Sequence, residues 1–507
     1  MKIRLLASSD VHGYVMPYRY SDLKPCDHGF LKLKATMDAY TVENTLKIDN
    51  GDVLEGSPLL GYYYRHQDAY AINPMITAVN EVGYDYYNVG NHDFNYGQAN
   101  LLNYIKENHA LGLCGNVKYN GEYLGAPYRI HEFDAEHKIA IIGVVTHYIK
   151  NWEKPQSLVG FEIEEAFTYV EKTIAKIKAE EKVNGIVVVY HGGFEKDLDT
   201  GKPTEDLTGE NEAYRMCQEI KGIDVLISGH QHRSIAQKCL GVSVTQTAHM
   251  GKEIAVVDWD LDTHEISEQL VPCSYPVDPT FEAKFKDVEE GCERWLDEPL
   301  GRIMDADLKV VDEFDARVHK HPVITFINKV QLEASGADLA GNALFNDAVG
   351  FNEKITMRDI VSTYVYPNTL VVFKINGKIL KEYLEKNAEY FAVDGDKIVV
   401  DYSFAYPKPQ HYNYDMVDGV DYTIKVSNPK GSRIVDLKYK GEAVKEDQEF
   451  TLAISNYRAA GGGNFFMFKD APRVLEMQED MVTLLSNYLI EHQEVYLHHY
   501  ENIKVTI

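Results

Sequence analysis

The chain of 507 residues has no long hydrophobic run, and no apolar stretch approaches the ~18 residues that a bilayer span requires. Its opening, "MKIRLLASSDVHGY", offers only Leu5-Leu6-Ala7 before Asp10 and His12, too short for a secretory h-region. Cysteine is sparse. Cys26, Cys114, Cys217, Cys239, Cys273 and Cys292 are scattered without a C-x-x-C pair, which argues against a zinc-finger framework and predicts reduced thiols. A soluble, cytoplasmic protein is the expectation. Positive charge is short as well: 51 Lys and Arg against 78 Asp and Glu leave a formal charge of −27. Such a field argues against tight binding to nucleic acid or to an anionic membrane. It also repels anionic substrates, so a phosphate site here needs local positive charge, such as metal ions.

What is present points to two domains, because this length exceeds what one hydrophobic core supports. In the first half, short apolar runs (3–8, 45–49, 86–90, 138–145, 185–193, 224–229) alternate with helix-like stretches at 30–40, 98–109, 164–182 and 211–221. Continuous rather than alternating apolar strands, interleaved with helices, predict α/β layers around a sheet buried on both faces. The texture changes near Pro279. Residues 280–297 read as one charged amphipathic helix, and 300–320 is polar and irregular. The expected domains are 1–279 and 321–507, with 280–320 as linker and hinge region. The second is dense in aromatics, as in "DYSFAYPKPQHYNYDMVDGVDYTIKV" (401–426).

Each apolar run of the first half is followed by potential metal ligands: Asp10-Val11-His12-Gly13, Asn50-Gly51-Asp52, Asn91-His92-Asp93, His191-Gly192-Gly193 and Gly229-His230-Gln231-His232. Taken singly, these are ordinary turn residues. Five strands in succession, each ending in one or two ligands, form a pattern that chance seldom produces, and open α/β sheets place their sites at strand carboxyl ends. Imidazoles, carboxylates and an amide, with no thiolate, suit Mn, Zn or Fe(II). Two such ions need a bridging anion, for which Asp52, alone in its motif, is the natural candidate.

The ordered series D-x-H, G-D, G-N-H-D, H-G-G, G-H-x-H over residues 8–232 resembles the calcineurin-like metallophosphoesterases. The resemblance implies a four-layer αββα sandwich holding two divalent ions. One would be bound by Asp10, His12, Asp52 and His232, the other by Asp52, Asn91, His191 and His230. His92 would face the substrate and stabilise or protonate the leaving oxygen. In the second half, "YVYPNTL" (364–370), "YNYDMVDGVDYTI" (412–424) and "SNYRAAGGGNFFMF" (455–468) resemble the C-terminal domain of the 5′-nucleotidase family. There two aromatic rings sandwich the nucleobase; Tyr457 matches one, and Tyr414 fits the other best, with Tyr412 close by. Arg458 and Asn464 are candidates for base or ribose contacts, and Gly461-Gly462-Gly463 either permits close approach or simply makes a turn. A nucleotide would then bind between the domains, which would close around it.

Two features favour the 2′,3′-cyclic-nucleotide 2′-phosphodiesterase/3′-nucleotidase branch. The phosphate-gripping N-x-G-G-x-R segment of the 5′-nucleotidase branch is replaced by "LAGNALFND" (339–347), without Arg. That branch also carries a carboxylate three positions after its catalytic histidine, whereas Asn95 stands there in this chain. Asp93 would have to turn back to reach His92, so its expected role is structural. The reaction implied is opening of a cyclic phosphate to a 3′-nucleotide, then hydrolysis to nucleoside and phosphate. A 5′-nucleotidase or broad phosphomonoesterase is the alternative within enzymes, and a nucleotide sensor with a vestigial site the alternative outside them.

Overall fold

The computed structural model describes residues 1–507 except Lys154 and Pro367, and Gln478 without its side chain. The chain divides into two compact units, Met1–Cys292 and Glu293–Ile507. Among the described residues no helix is long and apolar enough to cross a membrane.

The first unit contains β1 (Lys2–Ser8), β2 (Thr45–Asp49), β3 (Tyr86–Tyr87), β4 (Leu111–Gly112), β5 (Arg129–Glu132) and β6 (Lys138–Val145). They are followed by β7 (Gly185–His191), β8 (Val225–Ser228), β9 (Ile235–Cys239), β10 (Val242–Gln246), β11 (Glu253–Asp260) and β12 (Ile266–Pro272). These form two six-stranded sheets, ordered β12-β11-β1-β2-β3-β4 and β9-β10-β8-β7-β6-β5. Strands β1 to β4 run parallel, as do β6, β7, β8 and β10. Their carboxyl ends therefore gather the ligand-bearing loops.

The continuous apolar runs follow from burial on both faces. Ile3, Leu5 and Ile48 of one sheet pack against Ile141, Val187, Val189 and Ile227 of the other. The alternate residues Ile142, Ile186, Val188 and Tyr190 face α2 (Ala166–Glu180) and the segment around Met216 and Ile220. In α2 the buried Phe167, Val170, Ile174 and Ile177 recur every three or four positions, the spacing of one helical face. With α1 (Gly29–Tyr40) against β11, the layers are helix, sheet, sheet, helix.

The stretch predicted as one helix over 280–297 is broken. A turn of helix at Pro279–Glu282 passes through a tighter 3-10 turn at Ala283–Phe285 into α3 (Lys286–Leu296). The division between units falls inside α3. Nor is 300–320 irregular, since it contains a strand, Pro299–Ile303, and a short helix, Glu313–Val318.

The second unit is built on β13 (Leu339–Ala343), β14 (Thr369–Asn376), β15 (Asp415–Asp418), β16 (Glu449–Ser455) and β17 (Arg473–Asp480). Their order is β15-β13-β16-β14-β17. The helix α4 (Pro322–Ser335) buries Ile324, Ile327 and Val330, and packs on β13.

Candidate functional site

Five of the predicted ligands hold a backbone conformation that side chains rarely adopt. Asp10, His12, Asp52, His230 and His232 have φ of 57°, 53°, 58°, 69° and 57°. For residues with a Cβ this left-handed region costs roughly 1–2 kcal/mol each, so neighbouring contacts must enforce it. They do. Asp10 N–H donates to the Gly51 carbonyl (2.9 Å) and His12 N–H to the Asp52 carbonyl (2.8 Å), locking the first ligand loop to the second. The Asp10 carboxylate accepts the His230 N–H at 3.0 Å, adding the fifth loop.

Asp93 performs the same service for Asp52. Its carboxylate accepts the N–H groups of Asp52 (3.0 Å), Val53 (2.8 Å), Leu54 (2.9 Å) and Gly90 (2.7 Å). Asp93 thus binds the loop after β2 to the loop after β3 and does not turn back to His92. Gly90 is required by close approach: a Cβ there would meet Asp52 Oδ1 at 2.1 Å.

The seven predicted ligands converge. His12 Nε2 and His232 Nε2 face each other at 3.1 Å, and Asp10 Oδ1 lies 3.3 Å from His232 Nε2. His191 Nε2 lies 3.1 Å from both Asp52 Oδ2 and Asn91 Oδ1, and His230 Nδ1 is 2.9 Å from Asn91 Oδ1. The other ring nitrogens show what these atoms carry. His12 Nδ1 and His191 Nδ1 donate to the carbonyls of Glu55 (3.0 Å) and Asn50 (2.6 Å), and His230 Nε2 donates to the Glu210 carboxylate (2.9 Å). The nitrogens turned inward are then lone-pair donors aimed at carboxylate and amide oxygens.

Acceptors facing acceptors in a buried site need a cation between them, and two observations agree. Asp52 Oδ2 is buried and takes no well-directed hydrogen bond. Burial opposes a charge on His191, yet Asp52 and Asp10 push its imidazole up to about 10, so a proton fills the gap where no metal does. Burial likewise opposes ionisation of Asp10, but His191, His232 and His12 hold it well below the ordinary carboxylate range. Asp10 groups with His12 and His232, and with Asp52 and His191, at spacings that suit metal ions. This nitrogen and oxygen set fits divalent metal.

His92 stands beside the cluster. Its ring Nδ1 is 2.7 Å from Asn95 Oδ1, and its imidazole meets that of His12 edge-on. Burial disfavours its charge, but Asp52, Glu55 and the Asn95 contact raise it above the usual imidazole value. Three neighbours carry no motif and were not legible in the sequence. Glu55 Oε2 lies 3.3 Å from His92 Nδ1, and burial pushes its carboxyl up to about 7. Glu153 accepts from Asn95 Nδ2, and Trp152 stacks on the His230 ring at 5.3 Å.

In the second unit two expectations are corrected. Tyr414 is fully buried, with its ring stacked on Tyr390 at 4.9 Å and crossed by Phe391, so it has no face for a base. Tyr412 is the half-exposed ring that meets Tyr457, at 6.5 Å between centroids. Arg458 does not reach out to a ligand either. Its guanidinium is buried, binds both oxygens of Asp415 (2.7 and 3.0 Å), and donates to the Tyr412 carbonyl (2.9 Å) and to the Gly462 carbonyl (2.5 Å). It pins the two tyrosine-bearing segments together. The glycines serve the same fit: a Cβ on Gly462 would enter the Tyr457 ring, and one on Gly463 would strike Asn413 and Arg458. Asn464 is half-buried on this loop with φ of 65°.

A family model for the calcineurin-like phosphoesterases matches residues 3–234, and one for the 5′-nucleotidase C-terminal domain matches 300–470. The 2′,3′-cyclic-nucleotide 2′-phosphodiesterase/3′-nucleotidase of Haemophilus influenzae is 26% identical over 544 residues, covering 90% of this chain and 80% of that protein. The trifunctional nucleotide phosphoesterase YfkN of Bacillus subtilis is 27% identical over 574 residues, covering 97% of this chain. The chain spans only 38% of that relative's length. A Staphylococcus aureus crystal structure, provisionally designated a 5′-nucleotidase and solved with alpha-ketoglutarate, superposes with a TM-score of 0.93 at 35% identity, covering 100% of both chains. Likeness of that degree along the whole chain, on a site that calls for metal, makes this protein a calcineurin-like phosphoesterase of the 5′-nucleotidase family, a hydrolase of phosphoric esters.

Proposed function

We propose that the protein opens 2′,3′-cyclic nucleotides to 3′-nucleotides and hydrolyses these to nucleoside and phosphate, using a pair of Mn, Zn or Fe(II) ions. The carrying observation is the cluster of inward lone pairs on His12, His191, His230 and His232 around Asp10, Asp52 and Asn91. Asp52 Oδ2 lies 3.1 Å from His191 Nε2 and 3.9 Å from His12 Nε2, so it would serve both ligand sets. Ions held there would supply Lewis acidity toward phosphate oxygens and would lower the pKa of water into the neutral range.

The protein's own groups do the rest. Burial opposes ionisation of Asp10 and Asp52, but the surrounding histidines hold both carboxyls below the ordinary range, so the site keeps its negative charge at neutral pH. His92 presents Nε2 away from Asn95 and carries a proton to the leaving oxygen. Tyr412 and Tyr457 offer their rings to the base, and stacking tolerates any base because each has a π-face.

Support for the cyclic branch comes from the amide at Asn95 and from the activity for which the H. influenzae relative is named. A 5′-nucleotidase is the second reading, favoured by the S. aureus structure. Rates on 2′,3′-cyclic AMP, 3′-AMP and 5′-AMP with Mn²⁺, and with chelator, decide between them. Cyclic and 3′ substrates are expected to lead, with chelator abolishing all three activities. A clear preference for 5′-AMP overturns the first reading, and activity that survives chelation overturns both.

A further inference from the structure

We propose that Glu55 is a positioning residue for His92, supplying from the loop after β2 the carboxylate that the 5′-nucleotidase branch places three residues after its catalytic histidine. This rests on His92 acting at the leaving oxygen, as proposed above.

The geometry around Nδ1 carries the assignment. Asn95 Nδ2 donates to Glu153, which fixes the amide so that its oxygen faces the ring. An oxygen at 2.7 Å makes Nδ1 an N–H donor, whichever charge state the ring holds. Glu55 Oε2 stands 3.3 Å from the same nitrogen and 3.8 Å from His12 Nδ1. Glu55 is 1% exposed and Oε2 has no hydrogen bond among the described residues, so a charge there is costly unless a cation faces it. The His92 ring nitrogen is the group that faces this oxygen most closely, at 3.3 Å. Asn95 takes the directed hydrogen bond at 2.7 Å, and Glu55 closes the other side of the same nitrogen. Between them the two residues divide the work of one carboxylate.

The backbone holds Glu55 in place for this. Its carbonyl accepts His12 Nδ1 at 3.0 Å, and the following Gly56, at φ of 123°, lets the chain turn against the His12 side chain, where a Cβ would sit 2.8 Å from His12 Cβ. A substitution confined to the Glu55 carboxyl leaves that carbonyl contact untouched.

Glu55→Gln tests the charge alone. With the nucleotide that the protein hydrolyses best, kcat is expected to fall about 10–100-fold, the range for residues that tune an essential partner. With p-nitrophenyl phosphate, whose leaving group needs no proton, the fall is expected to be under about 3-fold, with KM and metal content unchanged. Adding Asn95→Asp to Glu55→Gln returns the carboxylate to the other side of the ring and is expected to restore at least about half of the lost kcat on a logarithmic scale. Equal losses on both substrates, no loss on either, or a double variant no better than the single overturns the proposal. Should Glu55→Gln fail to fold, Glu55→Asp, which draws the carboxyl away from Nδ1, takes its place with the same two substrates, and equal or absent losses overturn the proposal. Absence of activity toward every phosphoester would sink the proposed function instead; the ring ¹⁵N shifts of His92, expected to change between the unaltered protein and the Glu55 variant and overturning the proposal if they do not, would still judge Glu55.

Discussion

Asp52, in the loop after β2, and Asp415, the first residue of β15, are both buried carboxylates surrounded by polar groups. Asp415 is met by donors only: Arg458 grips both its oxygens and the Tyr383 hydroxyl adds a third bond at 2.7 Å. Asp52 has one oxygen served by the His92 N–H at 2.7 Å, while the other faces the lone pairs of His191 and His12. The first charge is balanced within the fold and holds two loops together. The second is left open to something from outside. In a buried site, the residue whose partners repeat its own polarity marks a ligand, and the residue whose partners complement it marks scaffold.

The contrast can be broken most forcibly at Asp52. Asp52→Asn should lower kcat by roughly 10³-fold or more, with metal lost in proportion. With metal supplied, the melting temperature should fall toward that of the chelator-treated wild type, because the variant forgoes the stabilisation that a bound ion brings. Undiminished metal content would make Asp52 scaffold after all. Arg458→Met should do the reverse. It strands Asp415 without its cation and should cost about 3–5 kcal/mol in urea unfolding, while metal content stays unchanged.

Tyr457→Ala probes the surface that Arg458 supports. Base stacking contributes about 1–3 kcal/mol, so KM for nucleotides should rise by roughly tenfold, and KM for p-nitrophenyl phosphate should not move. A smaller effect is expected at Glu205, a third kind of carboxylate. It is half-buried, accepts only neutral amides, from Asn211 (2.8 Å) and Gln231 (3.2 Å), and is pushed up to about 8 by burial and by Glu210. Because its folded value lies above the unfolded one, folding favours the protonated form. Wild-type stability should therefore fall as pH climbs from about 4.5 to about 8. Glu205→Gln should match wild type at pH 4.5 and exceed it at pH 8, by roughly 1 kcal/mol once solvent screening of the half-exposed carboxyl is discounted from the several that the full shift implies. Parallel Tm curves would mean that Glu205 is solvated.

The ligand set was legible because it depends on few things: strands parallel, buried on both faces, and ending at one edge. Apolar runs reveal the buried strands, the residues just past their ends are the candidates, and the family resemblance picks Asp10, His12, Asp52, Asn91, His191, His230 and His232 from among them. The role of Asp93 could be reached by exclusion, since it sits beside His92 on a turn that cannot fold back. Glu55, Glu153 and Glu210 escaped because their contacts depend on loop paths spanning tens of residues, and no short pattern marks them. Tyr414 and Tyr412 both matched the motif and were not separable in the sequence, because the 3-10 turn at 411–413 leaves no alternation to tell an inward ring from an outward one. Arg458 looked like a ligand-binding arginine because its neutraliser, Asp415, lies 43 residues earlier. In the connector, helical periodicity was right on either side of 283–285 but could not show the tight turn between.

Trp152 gives the molecule a built-in indicator. The chain has three tryptophans. Trp259 and Trp295 are 1% and 6% exposed within the packed interior, whereas Trp152 lies half-exposed with its indole stacked on the His230 ring. An imidazole in such contact quenches the excited indole by charge transfer, most strongly when protonated, so the emission depends on whether the ring is free, protonated or committed to a metal. A titration with Mn²⁺ or Zn²⁺ can therefore be followed by intrinsic emission, and Trp152→Phe should silence the signal while leaving the other two indoles as an internal standard.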